Sequence, residues 1–174
     1  MAFVIRNARP EDRGILKAMV QEFIDHLGRL QTAGASVAAM SEADDGETCV
    51  LEPVSDAELD RCIDLALGPD PACHALVAEK DGVPVGYLAW HWGVWDLFRC
   101  FHVAGLFVRV DVRSLGVGRA LMEEARRIAE ARGAERMTWM VWTKNRSAIE
   151  FYKGLGAELL EDDRQMVWKI GGRS

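Results

Sequence analysis

The first chemistry that the sequence suggests is phosphate binding, at the glycine-rich turn Arg113-x-x-Gly116-x-Gly118. The turn follows a β-rich run and leads directly into a segment with helical periodicity. Backbone N–H groups in the first turn of a helix have no partner within the helix. Together with the positive end of the helix dipole, they can bind a pyrophosphate. Glycine allows the phosphate to approach the backbone closely, and Arg113 and Arg119 could add positive charge at the rim.

The same turn also fits a plain helix start, because a Gly-x-Gly turn is a short motif. Two other phosphate-binding loops do not fit it. A Walker A loop has Lys and then Ser or Thr after its last glycine, whereas Arg119 and Ala120 follow Gly118. A Rossmann loop has a third glycine near the first strand of its βαβ unit, and this turn lies late in the chain.

A second group of residues follows about thirty positions later, in the pattern Asn145-x-x-Ala148-x-x-Phe151-Tyr152-x-x-x-Gly156-Ala157. Asparagine is a preferred residue before the first turn of a helix, so Asn145 predicts a short helix over residues 146–153. Tyr152 lies on the apolar face of this helix, where an aromatic residue is either part of the core or a catalytic group. The residues alone leave both interpretations open.

These groups depend on the elements around them. The residue pattern predicts strands over residues 3–6, 74–80, 83–92, 101–110, 136–142 and 163–170. Asp81-Gly82, between two apolar runs, predicts a hairpin. The resulting order β-α-α-β-β-β-α-β-α-β predicts a mixed α/β fold with helices on both faces of the sheet.

Four helices are predicted. The first begins at Pro10 and has an apolar face of Ile15, Met19, Phe23 and Leu27. The second covers residues 55–67 and begins with a capping box of Ser55 and Glu58. The third follows the glycine turn with a face of Val117, Leu121, Ala125 and Ile128 and a pair of Glu123 with Arg127, and the fourth is the helix over residues 146–153. Residues 32–50, which are small and polar, predict a mobile connection.

The composition predicts one globular domain over residues 3–172. The chain has 174 residues, 49% of them apolar, and a net charge of −6, which argues against nucleic acid as a partner. No run of apolar residues is long enough to span a membrane, and the start of the chain reads as a strand rather than a signal peptide, so a cytoplasmic location is expected. The four cysteines form no CxxC pair, so neither a metal site nor a disulfide framework is expected.

The glycine turn and the Asn145–Ala157 pattern, in this order and separation, resemble the two signature motifs of the GNAT acetyltransferases. The resemblance implies a GNAT fold, with a central mixed and mostly antiparallel sheet and helices on both faces. It implies acetyl-CoA as co-substrate, bound by Leu106, Phe107, Val108, Arg113, Ser114, Leu115, Gly116, Val117, Gly118, Arg119 and Asn145. It also implies that Tyr152 protonates the departing thiolate as general acid. Within the superfamily the chain looks most like the diamine acetyltransferase-like branch, which implies a homodimer.

The residue that accepts the proton of the amine has several candidates in this sequence. Diamine acetyltransferase-like enzymes have acidic residues just before the Leu-Phe-Val segment, where this chain has Ala104 and Gly105. His102 lies two residues before Ala104 and could be the base. A histidine without a catalytic role and a water chain to another acid are the alternatives. Trp90 and Trp92 are either core residues or walls of an amine site.

The sequence therefore predicts an N-acetyltransferase that transfers the acetyl group of acetyl-CoA to a primary amine of a small molecule. That molecule could resemble a polyamine, an amino acid or an aminoglycoside, although the missing acids argue against a polyamine. A protein lysine or N-terminal acetyltransferase is one alternative, and a non-catalytic acyl-CoA-binding module is another. An open groove beside the first helix would favour a protein substrate, and a closed pocket lined by residues 32–67 would favour a small molecule.

Overall fold

The residues that the structure describes fold around one five-stranded sheet. A computed structural model describes residues 3–38 and 53–160. The strands are β1 (Val4–Asn7), β2 (His74–Lys80), β3 (Val83–Trp95), β4 (Phe98–Val108) and β5 (Arg136–Trp139). They lie in chain order across the sheet; the first four pair antiparallel, and β5 runs parallel to β4. The sheet is thus mixed and mostly antiparallel, as the GNAT resemblance implied.

Helices cover both faces of this sheet, which confirms the predicted layers. They are α1 (Arg13–Ala38), α2 (Asp56–Leu67), α3 (Val117–Ala131) and α4 (Arg146–Lys153). On the α1/α2 face the core consists of Leu16, Met19, Val20, Leu59, Ile63, Val77, Tyr87 and Phe107. On the α3/α4 face the core is larger and includes Leu88, Trp90, Phe101, Val117, Leu121 and Ala125. The last strand predicted, over residues 163–170, lies outside the described residues.

Several local sequence signals occur in the structure at the elements that they predict. Ser55 and Glu58 bond reciprocally at the start of α2, where the Ser55 Oγ accepts from the Glu58 N–H at 3.3 Å and the Glu58 carboxylate accepts from the Ser55 N–H at 3.0 Å. Asp81 and Gly82 adopt φ values of 53° and 76°, the left-handed conformation that a two-residue hairpin turn requires. Asn145 caps α4 through the Ala148 N–H at 3.2 Å.

Other predictions were wrong in detail. α1 continues to Ala38, through part of the predicted connection over residues 32–50, because adding a residue to an existing helix is easier than starting one. The hairpin of β3 and β4 is longer than predicted, and β4 ends at Val108 rather than at position 110, where a single helical turn begins. Arg127 pairs with Glu124 at 2.7 Å instead of with Glu123.

A bulge in β4 divides the strand into two parts. Val103 pairs with Trp90 and Gly105 pairs with Ala89, so that Ala104 has no partner in β3. The extra residue reverses the alternation of side chains: Leu106 and Val108 pack against the α3/α4 core, and Phe107 lies in the α1/α2 core. The pairing of β4 with β5 ends at Val103, and the two strands diverge from there.

None of the helices within residues 3–38 and 53–160 is both long enough and apolar enough to cross a membrane.

Candidate active site

The glycine turn is built as an open helix start. Ser114 and Gly116 have φ values of 63° and 91°, and α3 begins at Val117 with no side chain capping it. Along the helix, the first backbone amide that donates a hydrogen bond is that of Ala120, which donates to the Gly116 carbonyl at 2.9 Å. Nothing lies within 4 Å of the position where Gly116 would carry a Cβ. Among the described residues, the amides of residues 117–119 donate to no acceptor, which is the arrangement that binds an anion.

Gly118 has a different role from Gly116. A Cβ at Gly118 would lie 3.3 Å from the ring of Phe151 in α4. The absence of a side chain at this position thus allows α3 and α4 to pack closely, and the sequence argument from phosphate approach missed this contact.

The two arginines of the turn are held by backbone carbonyls. Arg113 Nε donates to the Val108 carbonyl at 2.9 Å, and its guanidinium lies 5.8 Å from the ring centre of Phe107. Arg119 Nη2 donates to the Gly154 carbonyl at 3.1 Å. Both positive charges are thereby kept beside the first turn of α3, and Ser114 and Leu115 are exposed between them.

The backbone of β4 beyond the bulge has an open edge. From Ala104 onward this strand pairs only with β3, and no described residue pairs with its other edge. Leu106, Phe107 and Val108 lie on this stretch, and the carbonyl of Val108 already accepts from Arg113. An extended amide-bearing chain could therefore bind along the edge as an additional strand does.

Tyr152 lies beside the point where β4 and β5 diverge. Its ring packs at 4.9 Å from Trp139 and 5.1 Å from Phe151, centre to centre. Within the described part of the chain its hydroxyl makes no hydrogen bond, and burial raises its pKa to about 12. The hydroxyl therefore stays protonated at neutral pH and is free to donate. Asn145 lies at the start of the same helix, where its Oδ1 also accepts from the Ser147 hydroxyl at 3.1 Å.

His102 lies on the opposite face of the sheet. Its Nδ1 is 2.9 Å from Oγ1 of Thr138, and its ring is 4.9 Å from the ring of His91. Burial, and then the neighbouring His91, lower the pKa of His102 below its ordinary value of 6.5. The imidazole is thus neutral at pH 7 and able to accept a proton. By strand alternation Arg136 is on this face too, where its guanidinium lies 4.1 Å from the ring centre of Phe98.

The two titratable side chains flank the same point of the sheet. Tyr152 contacts Trp139, and His102 contacts Thr138, which is the preceding residue of β5. Consecutive residues of a strand point to opposite faces, so the phenol is on the α3/α4 face and the imidazole is on the α1/α2 face. A thioester placed where β4 parts from β5 would have a proton donor on one side and a proton acceptor on the other.

Sequence reasoning missed Thr138 and Cys100. Thr138 Oγ1 is 3.0 Å from Sγ of Cys100, in addition to its contact with His102. A usable signal existed, because Thr138 is the one polar residue in the run from Met137 to Trp142. Trp90, considered as a wall of an amine site, packs in the α3/α4 core against Phe101 at 4.3 Å, away from His102.

Residues 37–157 match the sequence model of the Acetyltransferase (GNAT) family. The chain belongs to the GNAT acetyltransferase family. An uncharacterized N-acetyltransferase of Methanocaldococcus jannaschii is 36% identical over 86 residues, which are 47% of this chain and 38% of that protein. A Bacillus subtilis protein, named as a candidate ribosomal protein bS18 alanine N-acetyltransferase, is 27% identical over 51% of this chain and 56% of its own length. The chain thus spans about half the length, or less, of these two relatives.

Solved structures of GNAT acetyltransferases share this fold. An aminoglycoside N-acetyltransferase, AAC(6')-Iy in complex with CoA, superposes with a TM-score of 0.66 and 16% identity. The superposition covers 97% of this chain and 95% of that chain. At this identity the likeness establishes the fold alone.

Proposed function

We propose that this chain transfers the acetyl group of acetyl-CoA to a primary amine of a small molecule. The observation that carries the proposal is the placement of Tyr152 and His102 on opposite sides of the point where β4 and β5 diverge. The open amides at the start of α3 support binding of the pyrophosphate of acetyl-CoA. The open edge of β4 at residues 106–108 supports pairing with the amides of its pantetheine arm.

The reaction is direct attack of the amine on the thioester carbonyl. The nitrogen lone pair forms the C–N bond, a backbone N–H beside the bulge of β4 stabilises the oxyanion, and the C–S electrons leave with sulfur. Tyr152 donates its proton to that thiolate. An alkylamine with a pKa of about 10.4 is only about 0.04% neutral at pH 7, so the ammonium form first loses one proton to water and the neutral amine then attacks. His102 takes the proton that the nitrogen loses once it bonds to carbon.

The class of acceptor amine is proposed from the residues just before the Leu106-Phe107-Val108 segment of β4. Ala104 and Gly105 supply no carboxylate, which disfavours the polyamine acceptor that the diamine acetyltransferase-like branch implies. An aminoglycoside-like or amino acid-like amine is the remaining small-molecule class, and one structural neighbour is an aminoglycoside N-acetyltransferase. Residues 39–52, part of the stretch expected to line the acceptor pocket, lie outside the described residues.

Acetylation of a protein N-terminus is the second candidate function. The observation that favours it is the similarity to the Bacillus subtilis protein named for alanine N-acetylation of ribosomal protein bS18. A peptide with an N-terminal alanine therefore belongs among the acceptors to be tested.

The binding half of the proposal is tested by calorimetric titration of acetyl-CoA into the wild type, Leu115→Glu and Leu115→Gln. Leu115 is 49% exposed, so neither change disturbs the core. A carboxylate at the start of α3 repels the pyrophosphate, yet it is compatible with the helix dipole. We expect at least about a tenfold loss of affinity for Leu115→Glu and little for Leu115→Gln. Equal affinity of all three proteins would remove the turn from the binding site.

The catalytic half is tested by acetyl-CoA turnover with spermidine, kanamycin, free amino acids and an alanine peptide. Turnover that Tyr152→Phe lowers by about a hundredfold would support the proposal and identify the class of acceptor. Preference for the peptide would select the second candidate function. Tight binding of acetyl-CoA without turnover on any acceptor would instead indicate a non-catalytic acyl-CoA-binding module.

A further inference from the structure

Three side chains, Cys100, Thr138 and His102, form a hydrogen-bonded chain that ends at Nδ1 of the His102 imidazole. Thr138 Oγ1 is within hydrogen-bond distance of two groups, Nδ1 of His102 at 2.9 Å and Sγ of Cys100 at 3.0 Å. Cys100 is 3% exposed, and Thr138 and His102 are half-buried. Cys100 and His102 lie on β4, two residues apart, and Thr138 lies beside them on the parallel strand β5.

When the hydroxyl of Thr138 donates its single proton to one of its two neighbours, two arrangements of these hydrogen bonds are possible. In one, the thiol donates to Thr138 Oγ1 and the hydroxyl donates to Nδ1 of His102, so that the imidazole proton is on Nε2. In the other, Nδ1–H of His102 donates to Thr138 Oγ1 and the hydroxyl donates to the sulfur of Cys100. Only the second arrangement leaves Nε2 with a lone pair that can accept a proton.

We infer that Cys100 and Thr138 are positioning residues that hold His102 as the Nδ1–H tautomer, with Nε2 free to receive the proton of the acceptor amine. The inference rests on the proposed function in one respect, namely that His102 is the base. When Nε2 takes the amine proton, the N–H bond of the substrate breaks and an imidazolium forms. Its Nδ1–H already points at Thr138 Oγ1, so the charge is stabilised without any rearrangement of the chain.

His91 provides an internal reference for the tautomer. Its Nδ1 lies 3.0 Å from the carbonyl oxygen of Trp92, which can only accept, so Nδ1 carries a proton. His91 pairs with His102 across the two strands, but it has no contact with Thr138 or Cys100. A change confined to the hydrogen bonds among Cys100, Thr138 and His102 should therefore leave the tautomer of His91 unaltered.

The test is long-range ¹H–¹⁵N correlation NMR of the uniformly ¹⁵N-labelled protein, which identifies the protonated nitrogen of each neutral imidazole. The chain has four histidines, and His102→Gln and His91→Gln assign the two signals of interest. We expect the Nδ1–H tautomer for His102 in the wild type. Thr138→Val and Cys100→Ala should convert it to the Nε2–H tautomer, and Cys100→Ser should retain Nδ1–H because its hydroxyl still accepts from Thr138.

Two results would overturn the inference: an Nε2–H tautomer in the wild type, or no change in Thr138→Val and Cys100→Ala while the His91 signal shows an intact fold. Because the NMR measurement requires no turnover, it does not depend on the proposed activity. A protein with the Nδ1–H tautomer that acetylates no amine would leave the inference standing and remove the proposed function.

A steady-state kinetic experiment complements the NMR measurement and uses the acceptor that the wild type acetylates. We expect Thr138→Val to lower kcat by at least about tenfold with little change in KM for acetyl-CoA, and Cys100→Ser to stay near the wild type. A loss in Thr138→Val that appears only in KM would indicate a structural role in binding and would contradict the inference.

Discussion

At the scale of single residues, burial sets the protonation states on which the proposed chemistry depends. It raises the pKa of Tyr152 to about 12, which keeps the phenol protonated, and it lowers the pKa of His102, which keeps the imidazole neutral. The two shifts have opposite signs because burial disfavours the charged form of each group, an anion in one case and a cation in the other. Burial thus keeps Tyr152 able to donate a proton and His102 able to accept one.

Removal of the Tyr152 hydroxyl tests the donor. We expect Tyr152→Phe to lower kcat by about a hundredfold, with little change in the affinity for acetyl-CoA, because in the proposed mechanism the phenol acts only on the leaving thiolate. The matched control is Tyr87→Phe, the other tyrosine of the chain, which is buried in the α1/α2 core. A similar loss of kcat in both variants would show that the effect is not specific to Tyr152.

The pH dependence of the rate tests the acceptor. His102 becomes protonated as the pH falls through its lowered pKa, so the acidic limb of kcat should lie below pH 6.5. No basic limb from Tyr152 is expected until about pH 12. His102→Gln should remove the acidic limb, whereas His74→Gln, at an exposed histidine, should keep it. An unchanged limb in His102→Gln would assign the titration to another group.

The sequence could supply the candidates for the site but not their surroundings. Tyr152 was proposed from the resemblance to the family motif, and His102 was proposed from its position in the strand. The contact of His102 with Thr138 joins residues 36 positions apart, and it depends on the register of two parallel strands. Register is fixed by the packing of the whole sheet, so no local pattern contains it.

At the scale of elements, boundaries were predicted well where one side chain decides them. α4 begins directly after its predicted cap Asn145, and the turn at Asp81-Gly82 lies where the dipeptide predicts it. The bulge at Ala104 could not be predicted, because an extra residue in a strand is visible only against its partner. The length of α1 beyond residue 32 was missed for a related reason, since helix propagation can override the weak propensity of small residues.

The capping box of α2 gives a test at this scale. Ser55→Ala removes the side-chain acceptor of the Glu58 amide and should lower the free energy of unfolding by about 1 kcal/mol in urea titration. Ser55→Thr keeps the hydroxyl, which also donates to the Glu58 carboxylate at 2.9 Å, and should cost only a few tenths of that amount. Equal losses in the two variants would indicate that the cap contributes nothing to stability.

At the scale of the whole molecule, an ionic network joins the start of the chain to the sheet. Arg6 donates to both oxygens of Asp12, at 2.7 and 2.8 Å, and its Nε donates to Glu79 at 2.9 Å. Asp12 is 6% exposed and also accepts from the Arg9 amide at 2.7 Å. The network connects β1 and the turn that precedes α1 with β2, where Glu79 is 73 positions from Arg6 in the sequence.

This network should make stability depend on pH. The hydrogen bonds from Arg6 hold the pKa of Asp12 below its ordinary value of 3.8, so its contribution is present above that pH and is lost as the pH falls through the lowered pKa. Asp12→Asn should therefore cost about 3 kcal/mol at pH 7 and progressively less in more acidic solution. Asp70→Asn, at an exposed carboxylate, should have almost no effect at either pH, and an Asp12→Asn cost that does not vary with pH would contradict the ionic interpretation.

The close packing of the glycine turn on α4 has a consequence for the order in which substrates bind. A Cβ at Gly118 would lie 3.3 Å from the ring of Phe151, the neighbour of Tyr152, and Arg119 donates a hydrogen bond to the carbonyl of Gly154 directly after the same helix. The turn and the helix that carries the phenol are therefore packed directly against each other. A ligand that stiffens the turn also stiffens the position of Tyr152, so we expect acetyl-CoA to enter first and the amine to meet an acid already held in place.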